Sequence, residues 1–133
     1  MKSAEFFNQG KRFFLEGRDG VAEYAKQRFP AESRKTIADA DDIAQRKFVF
    51  NLRWDMEQTD VPVVFDREID WLKQPYDDPE WIYAFNRMHF WLCLGQAYAL
   101  TKNEKYASAF ADQMCHWVDH VKRGDPKCDK AWR

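Results

Sequence analysis

The run Asp77-Asp78-Pro79-Glu80-Trp81-Ile82-Tyr83-Ala84-Phe85-Asn86-Arg87-Met88-His89-Phe90-Trp91-Leu92-Cys93-Leu94-Gly95-Gln96-Ala97-Tyr98-Ala99-Leu100 decides the fold class. Asp78 can cap free N–H groups, Pro79 fits the first helical position, and Glu80 suits the positive end of the helix dipole. The spacing predicts one helix of roughly five to six turns after Pro79, apolar nearly all round. Such a helix has to be covered on most sides, which places it at the centre of an all-α assembly. Asn86, His89, Cys93 and Gln96 recur three and four apart and predict one polar stripe along it, with Arg87 alongside. A stripe of that kind either lines a cleft for a polar ligand or makes buried hydrogen bonds to neighbouring helices.

Working outward, Thr101-Lys102-Asn103-Glu104 reads as a turn with a capping box, Thr101 facing Glu104. Tyr106, Phe110, Met114, Trp117 and Val121 mark one face of a last helix, so residues 78–123 are expected to form a helical hairpin that Gly124-Asp125-Pro126 closes. Upstream, Phe6, Phe7, Phe13 and Phe14 predict a first helix ending near Gly17. Val21, Tyr24, Ala25 and Phe29 predict a second that Pro30 stops, and Ile37, Ala40, Ile43 and Ala44 a third from about Glu32 to Arg46. Residues 1–46 are thus leading helices, and residues 47–77 one long irregular loop. In that loop the helical period vanishes, and Phe48-Val49-Phe50 and Val61-Pro62-Val63-Val64-Phe65 are short extended runs. Pro62 excludes the second from the middle of a sheet. A connection of this length is often functional. The chain stops at Ala131-Trp132-Arg133 without an evident closing element, which is expected of a truncated domain.

At 133 residues the chain is one domain in size, large enough for an ordinary core. Its net charge of -1 gives no support to nucleic acid or an anionic membrane as partner. Eleven Phe, six Trp and five Tyr suit either a large aromatic core or the stacking of sugar rings, where Arg supplies forked donors for carboxylate or sulfate. Three cysteines make no complete disulfide framework, and Cys93 and Cys115 read as core thiols on adjacent helices. There is no apolar run long enough to span a membrane and no basic-then-apolar signal pattern at the amino terminus.

His116 and His120 lie four apart beside Asp112 and Asp119. The glutamate of the metalloprotease motif is missing and spacing fixes no third ligand, so a solvated face is expected there and no metal or cofactor is assigned. No phosphate loop, nucleophile elbow or paired-cysteine motif occurs, and no catalytic set is complete.

Trp91-Leu92-Cys93-Leu94-Gly95-Gln96-Ala97-Tyr98 with Ala107 resembles the opening of a tetratricopeptide repeat, but Ala111 and Met114 stand where Phe and Ala belong. On that resemblance the chain would be a non-catalytic helical interaction module. A fuller set of residues resembles the amino-terminal region of the heparinase II/III family of polysaccharide lyases, in particular the heparan sulfate lyase branch. It consists of Asp60-Val61-Pro62-Val63-Val64-Phe65-Asp66, Ile69-Asp70-Trp71, Asp78-Pro79-Glu80-Trp81, Asn86-Arg87-Met88-His89-Phe90-Trp91, Leu94-Gly95-Gln96-Ala97-Tyr98 and Ala131-Trp132-Arg133, and covers roughly residues 45–133.

This second resemblance implies an incomplete (α/α) toroid that continues into a downstream part of the same polypeptide, and a periplasmic or secreted parent enzyme. It implies cleavage of heparan sulfate or a related acidic uronic-acid polymer by β-elimination, with the catalytic Asn, Tyr and His located downstream. The isolated chain would then be inactive and would form one wall of the cleft. By this analogy the substrate-binding residues are Asn86, Arg87, His89, Trp54, Trp71, Trp132 and Arg133.

Overall fold

The computed structural model describes residues 20–49, 61–75 and 80–132. The expected first helix, the cap at Asp78 and Pro79, and residues Trp54 and Arg133 lie outside them. The described part is mainly helical.

Helix α1 spans Val21–Arg28 and α2 spans Pro30–Ala44. Pro30 does not only stop α1. It occupies the first turn of α2, where its missing N–H costs nothing and its fixed φ is helical, so α2 starts earlier than its apolar spacing indicates. Helix α2 buries Ser33, Ala40 and Ile43, whereas α1 buries no residue. Arg46 then takes φ 61 and turns the chain into β1, Lys47–Phe48, which pairs antiparallel with β2, Val63–Val64. Phe65 N–H donates to Arg46 O at 3.1 Å, and the Arg46 Nε–H donates to Phe65 O at 3.2 Å. Both extended runs in the long loop therefore exist as a two-residue ribbon. Phe48 and Val63 turn inward and Val64 outward, as the period of two requires.

The long apolar helix is not continuous. It divides into α3, Glu80–Asn86, and α4, Trp91–Thr101, joined through Met88 at φ 59. Arg87 N–H reaches both Tyr83 O and Ala84 O, and Met88 N–H reaches Phe85 O, so α3 tightens as it ends. A left-handed conformation at a non-glycine residue costs about 1–2 kcal/mol and persists only where surrounding contacts impose it. The contacts that impose it are aromatic: Phe85 and Phe90 flank the break with their rings 5.4 Å apart, and each lies 4.9 Å from Phe48. Asn86, the last residue of α3, bonds back to Ile82 O at 2.9 Å, the competition with the helical backbone that makes Asn a poor interior residue.

The break also dissolves the polar stripe. Asn86 ends α3 and His89 lies in the connection, while on α4 Cys93 is buried and Gln96 exposed. Nor is α4 covered all round: Cys93, Leu94, Ala97 and Leu100 face the core, and Leu92 on the other side is 56% exposed.

Lys102 at φ 57 ends α4, and α5, Glu104–His120, begins after two residues. The expected capping box does not form. Asn103 is the cap, its Oδ1 accepting from Lys105 N–H at 3.0 Å. Thr101 Oγ1 instead donates to Ala97 O, and Glu104 accepts from the Tyr98 hydroxyl. Helix α5 packs on α4 and α2. Its inner face carries Tyr106, Ala109, Gln113 and Trp117, while Phe110 and Met114 sit on the outer side with Val118. Tyr106 is buried, and its hydroxyl donates to Asp41 Oδ1 on α2 at 2.8 Å. Lys105 Nζ meets the same carboxylate at 2.7 Å, and these two bonds hold Asp41 below the usual carboxylate range.

After α5, Gly124 at φ 86 opens a turn into a 3-10 helix, Pro126–Trp132, that packs on α3 and buries Cys128 and Ala131. The carboxyl-terminal residues thus carry a packed element that the sequence spacing did not indicate. Cys115 is exposed, and the second buried thiol is Cys128 rather than Cys115.

Candidate functional site

Three tryptophans each spend their single N–H on a polar side chain of another element. Trp117 donates to Asn86 Oδ1 at 2.8 Å, Trp91 to Gln113 Oε1 at 2.9 Å, and Trp71 to His116 Nδ1 at 2.9 Å. Asn86 also donates to Trp71 O at 2.9 Å and to Ile82 O. One amide therefore ties α3 to the loop after β2 and to α5. Gln113 does the same between α2 and α4, since its Nε2 donates to Ile43 O at 2.9 Å. Apolar spacing could not reveal Gln113, because a glutamine on the inner face of a helix looks like an interruption of the pattern. The abundance of Trp was the available signal, since buried indoles require acceptors.

Of the residues expected to meet a polysaccharide, Asn86, Trp71 and Trp132 are brought together. The Trp132 ring lies 5.1 Å from Trp117, which itself bonds Asn86. Trp132 is 45% exposed, and Arg87, next to Asn86 in the chain, is exposed. Trp71 contributes only its carbonyl oxygen there. Its ring is 2% exposed, stacked on Phe85 at 5.1 Å and edge-on to Trp91 at 6.3 Å. His89 is half-buried in the α3–α4 connection.

A second cluster joins α5 to the loop after β2. One polar atom each from Glu68, His116 and His120 lie within 4.8 Å of one another, and the two imidazoles stack with centroids 3.9 Å apart. Glu68 supplies the third group that the spacing of the two histidines left open; it lies 48 residues upstream of His116, so no local pattern could find it. Hydrogen bonding fixes both neutral tautomers. An indole N–H can only donate, so His116 Nδ1 must accept and its proton sits on Nε2. His120 Nδ1 lies 2.7 Å from His116 O, an acceptor, and so carries the proton, leaving Nε2 with a lone pair. His116 therefore turns an N–H toward the cluster, which a metal ion cannot accept while Trp71 keeps its bond.

His116 is held below the ordinary histidine range, first by burial and then by His120, against opposing pulls from Glu68 and Asp119. A depressed histidine leaves the folded state with fewer protons than the unfolded one. Its contribution is complete above the unfolded value of about 6.5 and is lost as pH falls below it. The melting temperature should accordingly drop between pH 7 and pH 5. Asn at position 116 retains an acceptor for Trp71 without titrating, so His116→Asn should flatten this segment of the profile. An unchanged slope in the variant would remove His116 as its source. Asp41, depressed in the opposite charge sense, acts in a lower window, below about pH 4.

Among comparisons with known proteins, the family model described as Heparinase II/III N-terminus matches residues 11–133. No curated protein and no solved structure matches the chain.

Proposed function

Because the chain belongs to the heparinase II/III family through its N-terminal domain, and so is part of a polysaccharide lyase, we propose that it forms one wall of a cleft for heparan sulfate or a closely related uronic-acid polymer. In this reading its helices are the first part of an incomplete (α/α) toroid completed by downstream sequence, in a periplasmic or secreted enzyme. The observation that carries the reading is the family match over nearly the whole chain. No helix among the described residues is long and apolar enough to cross a membrane.

The chemistry is elimination. A base removes the C5 proton of the uronate, the electron pair forms the C4–C5 double bond, and the C4–O bond breaks with an acid protonating the leaving sugar. The C5 proton becomes acidic enough only when the adjacent carboxylate is neutralised by donors. We assign those steps to Asn, Tyr and His downstream, so residues 1–133 alone are inactive. Here Arg87, His89 and Trp132 contact the polymer, with Trp54 and Arg133 as further contacts. Asn86 and Trp71 act from inside, holding Trp117 and hence Trp132 in place.

The test uses the enzyme that carries this domain. Heparan sulfate should yield products with the ultraviolet absorbance of an unsaturated uronide. Arg87→Ala should raise KM about tenfold with a smaller change in kcat, the loss expected when one charge-assisted hydrogen bond to substrate is removed. The difference should shrink as salt screens the guanidinium. Failure to release unsaturated product from any uronic-acid polymer would end this reading. A tetratricopeptide-like module would in that case bind a peptide and ignore glycosaminoglycans.

A further inference from the structure

The cluster of Glu68, His116 and His120 lies in a groove between α5 and the loop after β2. A depression of about 320 Å³ lined by Leu72, Val121 and these three residues continues into one lined by Arg46, Arg67 and Gln113, sharing Glu68, Ile69 and His116. None of Arg87, His89 and Trp132 lines this groove. His116 Nε2 is buried within it and has no hydrogen-bond partner among the described residues. Its ring cannot swing away to find one, because Trp71 holds Nδ1 and His120 stacks on its face. A buried N–H without an acceptor is costly, and each such group in a native structure calls for a specific explanation.

The tautomers determine what fits. The three groups offer one donor, His116 Nε2–H; one lone pair, His120 Nε2; and one carboxylate, Glu68. Their common partner must accept a hydrogen bond and donate another from the same atom. A metal ion or an ammonium cannot accept from His116. A sulfate or carboxylate cannot donate, and it would meet Glu68 and a lone pair. A hydroxyl does both, as does the water it would displace, and of the two only a sugar hydroxyl also brings a ring to cover the apolar wall. The depression around the three groups is apolar at Ile69, Leu72 and Val121 and carries Glu68 and Asp70 with no lysine or arginine among the described residues, while Arg46 and Arg67 line the neighbouring depression together with Asp112. That combination favours an uncharged sugar ring over a sulfated one.

We propose that Glu68, His116 and His120 form a saccharide subsite that holds a hydroxyl of an unsulfated sugar residue, His116 donating to the oxygen and Glu68 or His120 receiving its proton. The proposal rests on the polysaccharide reading above and places a second contact region outside the Arg87–Trp132 surface. Part of the polymer's selectivity is then for an uncharged ring, a discrimination that cations alone cannot make. Buried polar groups left unpaired by a ligand lacking the hydroxyl would reject it strongly.

The experiment titrates this chain, uniformly labelled with nitrogen-15 so that histidine ring, tryptophan indole and arginine signals are all read, using an unsulfated heparosan hexasaccharide, and in parallel using Zn²⁺ alone. The His116 and His120 ring signals should shift saturably while His116 keeps its Nε2–H form and His120 its Nδ1–H form. Glu68→Ala and His120→Ala, both at exposed positions, should each weaken binding about tenfold with an unchanged melting temperature above about pH 7, where His116 is neutral with or without them. Glu68→Gln, which keeps an acceptor, should lose about threefold. If the Arg87 and Trp132 signals move and those of the two histidines do not, the subsite is refuted and the polysaccharide reading stands. If no signal moves with any saccharide, the subsite is refuted, and the polysaccharide reading is decided separately by product release from the enzyme that carries this domain. One-to-one micromolar Zn²⁺ binding that His120→Ala abolishes would reassign the cluster to a metal and overturn the proposal.

Discussion

Phe85→Ala should destabilise the domain by about 4 kcal/mol, the range found for removal of a fully buried aromatic ring. Phe85 is 0% exposed and lies at the meeting point of five rings. Trp81 is 4.6 Å away, Phe48 4.9 Å, Trp71 5.1 Å, Phe90 5.4 Å and Phe65 6.0 Å between centroids. These neighbours come from β1, from the loop after β2, from α3, and from the residue that caps α4, so no single movement can collapse the void. Rigid rings also relax into a cavity less readily than aliphatic chains do. Natural domains have about 5–15 kcal/mol in hand, and the variant would be left near the threshold of folding. Urea titration should show a large fall in the midpoint at an unchanged slope. Phe85→Leu, which keeps most of the volume, should cost about 1–2 kcal/mol. A loss below about 1 kcal/mol for the alanine variant would mean that the ring cluster is not what holds the α3–α4 break in place.

That break marks the boundary of what local pattern could reveal. Helical spacing located α2, α4 and α5, and loss of the period located the two extended runs that pair as β1 and β2. Each is a pattern of apolar residues over a few positions, periodic in the helices and continuous in the extended runs, which is local information. The left-handed turn at Met88 is not local: nothing in Arg87-Met88-His89-Phe90 is a glycine or proline, and the conformation is imposed by rings contributed from residues 48, 85 and 90. Asn86 was a faint signal, since Asn inside a helix competes for the backbone, but its apolar surroundings outweighed it. The orientation of α5 failed for a related reason. Phe110 and Met114 carry more apolar surface than Gln113, yet Gln113 faces inward because Trp91 and Ile43 O need its amide. The Glu68–His116–His120 cluster combines residues from a loop and a helix, so its assembly depends on tertiary structure throughout.

Asn86→Ala is the substitution that separates positioning from contact. Removing the amide deletes three hydrogen bonds, to Trp71 O, Ile82 O and the Trp117 indole. Ile82 O remains within reach of ordinary helix-end partners, but the Trp71 carbonyl and the Trp117 N–H sit at half-buried positions where an unmade bond costs about 1–3 kcal/mol each. The expected loss is about 3 kcal/mol in urea unfolding. Asn86→Asp should not rescue it, because a carboxylate can accept from Trp117 but has no proton for Trp71 O, and would place a charge against that carbonyl. The same reasoning predicts a kinetic signature in the enzyme that carries this domain. If Asn86 acts by steadying Trp117 and through it Trp132, Asn86→Ala should raise KM in parallel with Trp132→Ala, and the double variant should be little worse than either alone, as expected for residues acting as one unit. If Asn86 instead touches the sugar itself, the two effects should add. A variant as stable as the parent yet deficient in binding would assign Asn86 to substrate contact, whereas lost stability with non-additive KM effects assigns it to the frame behind the cleft.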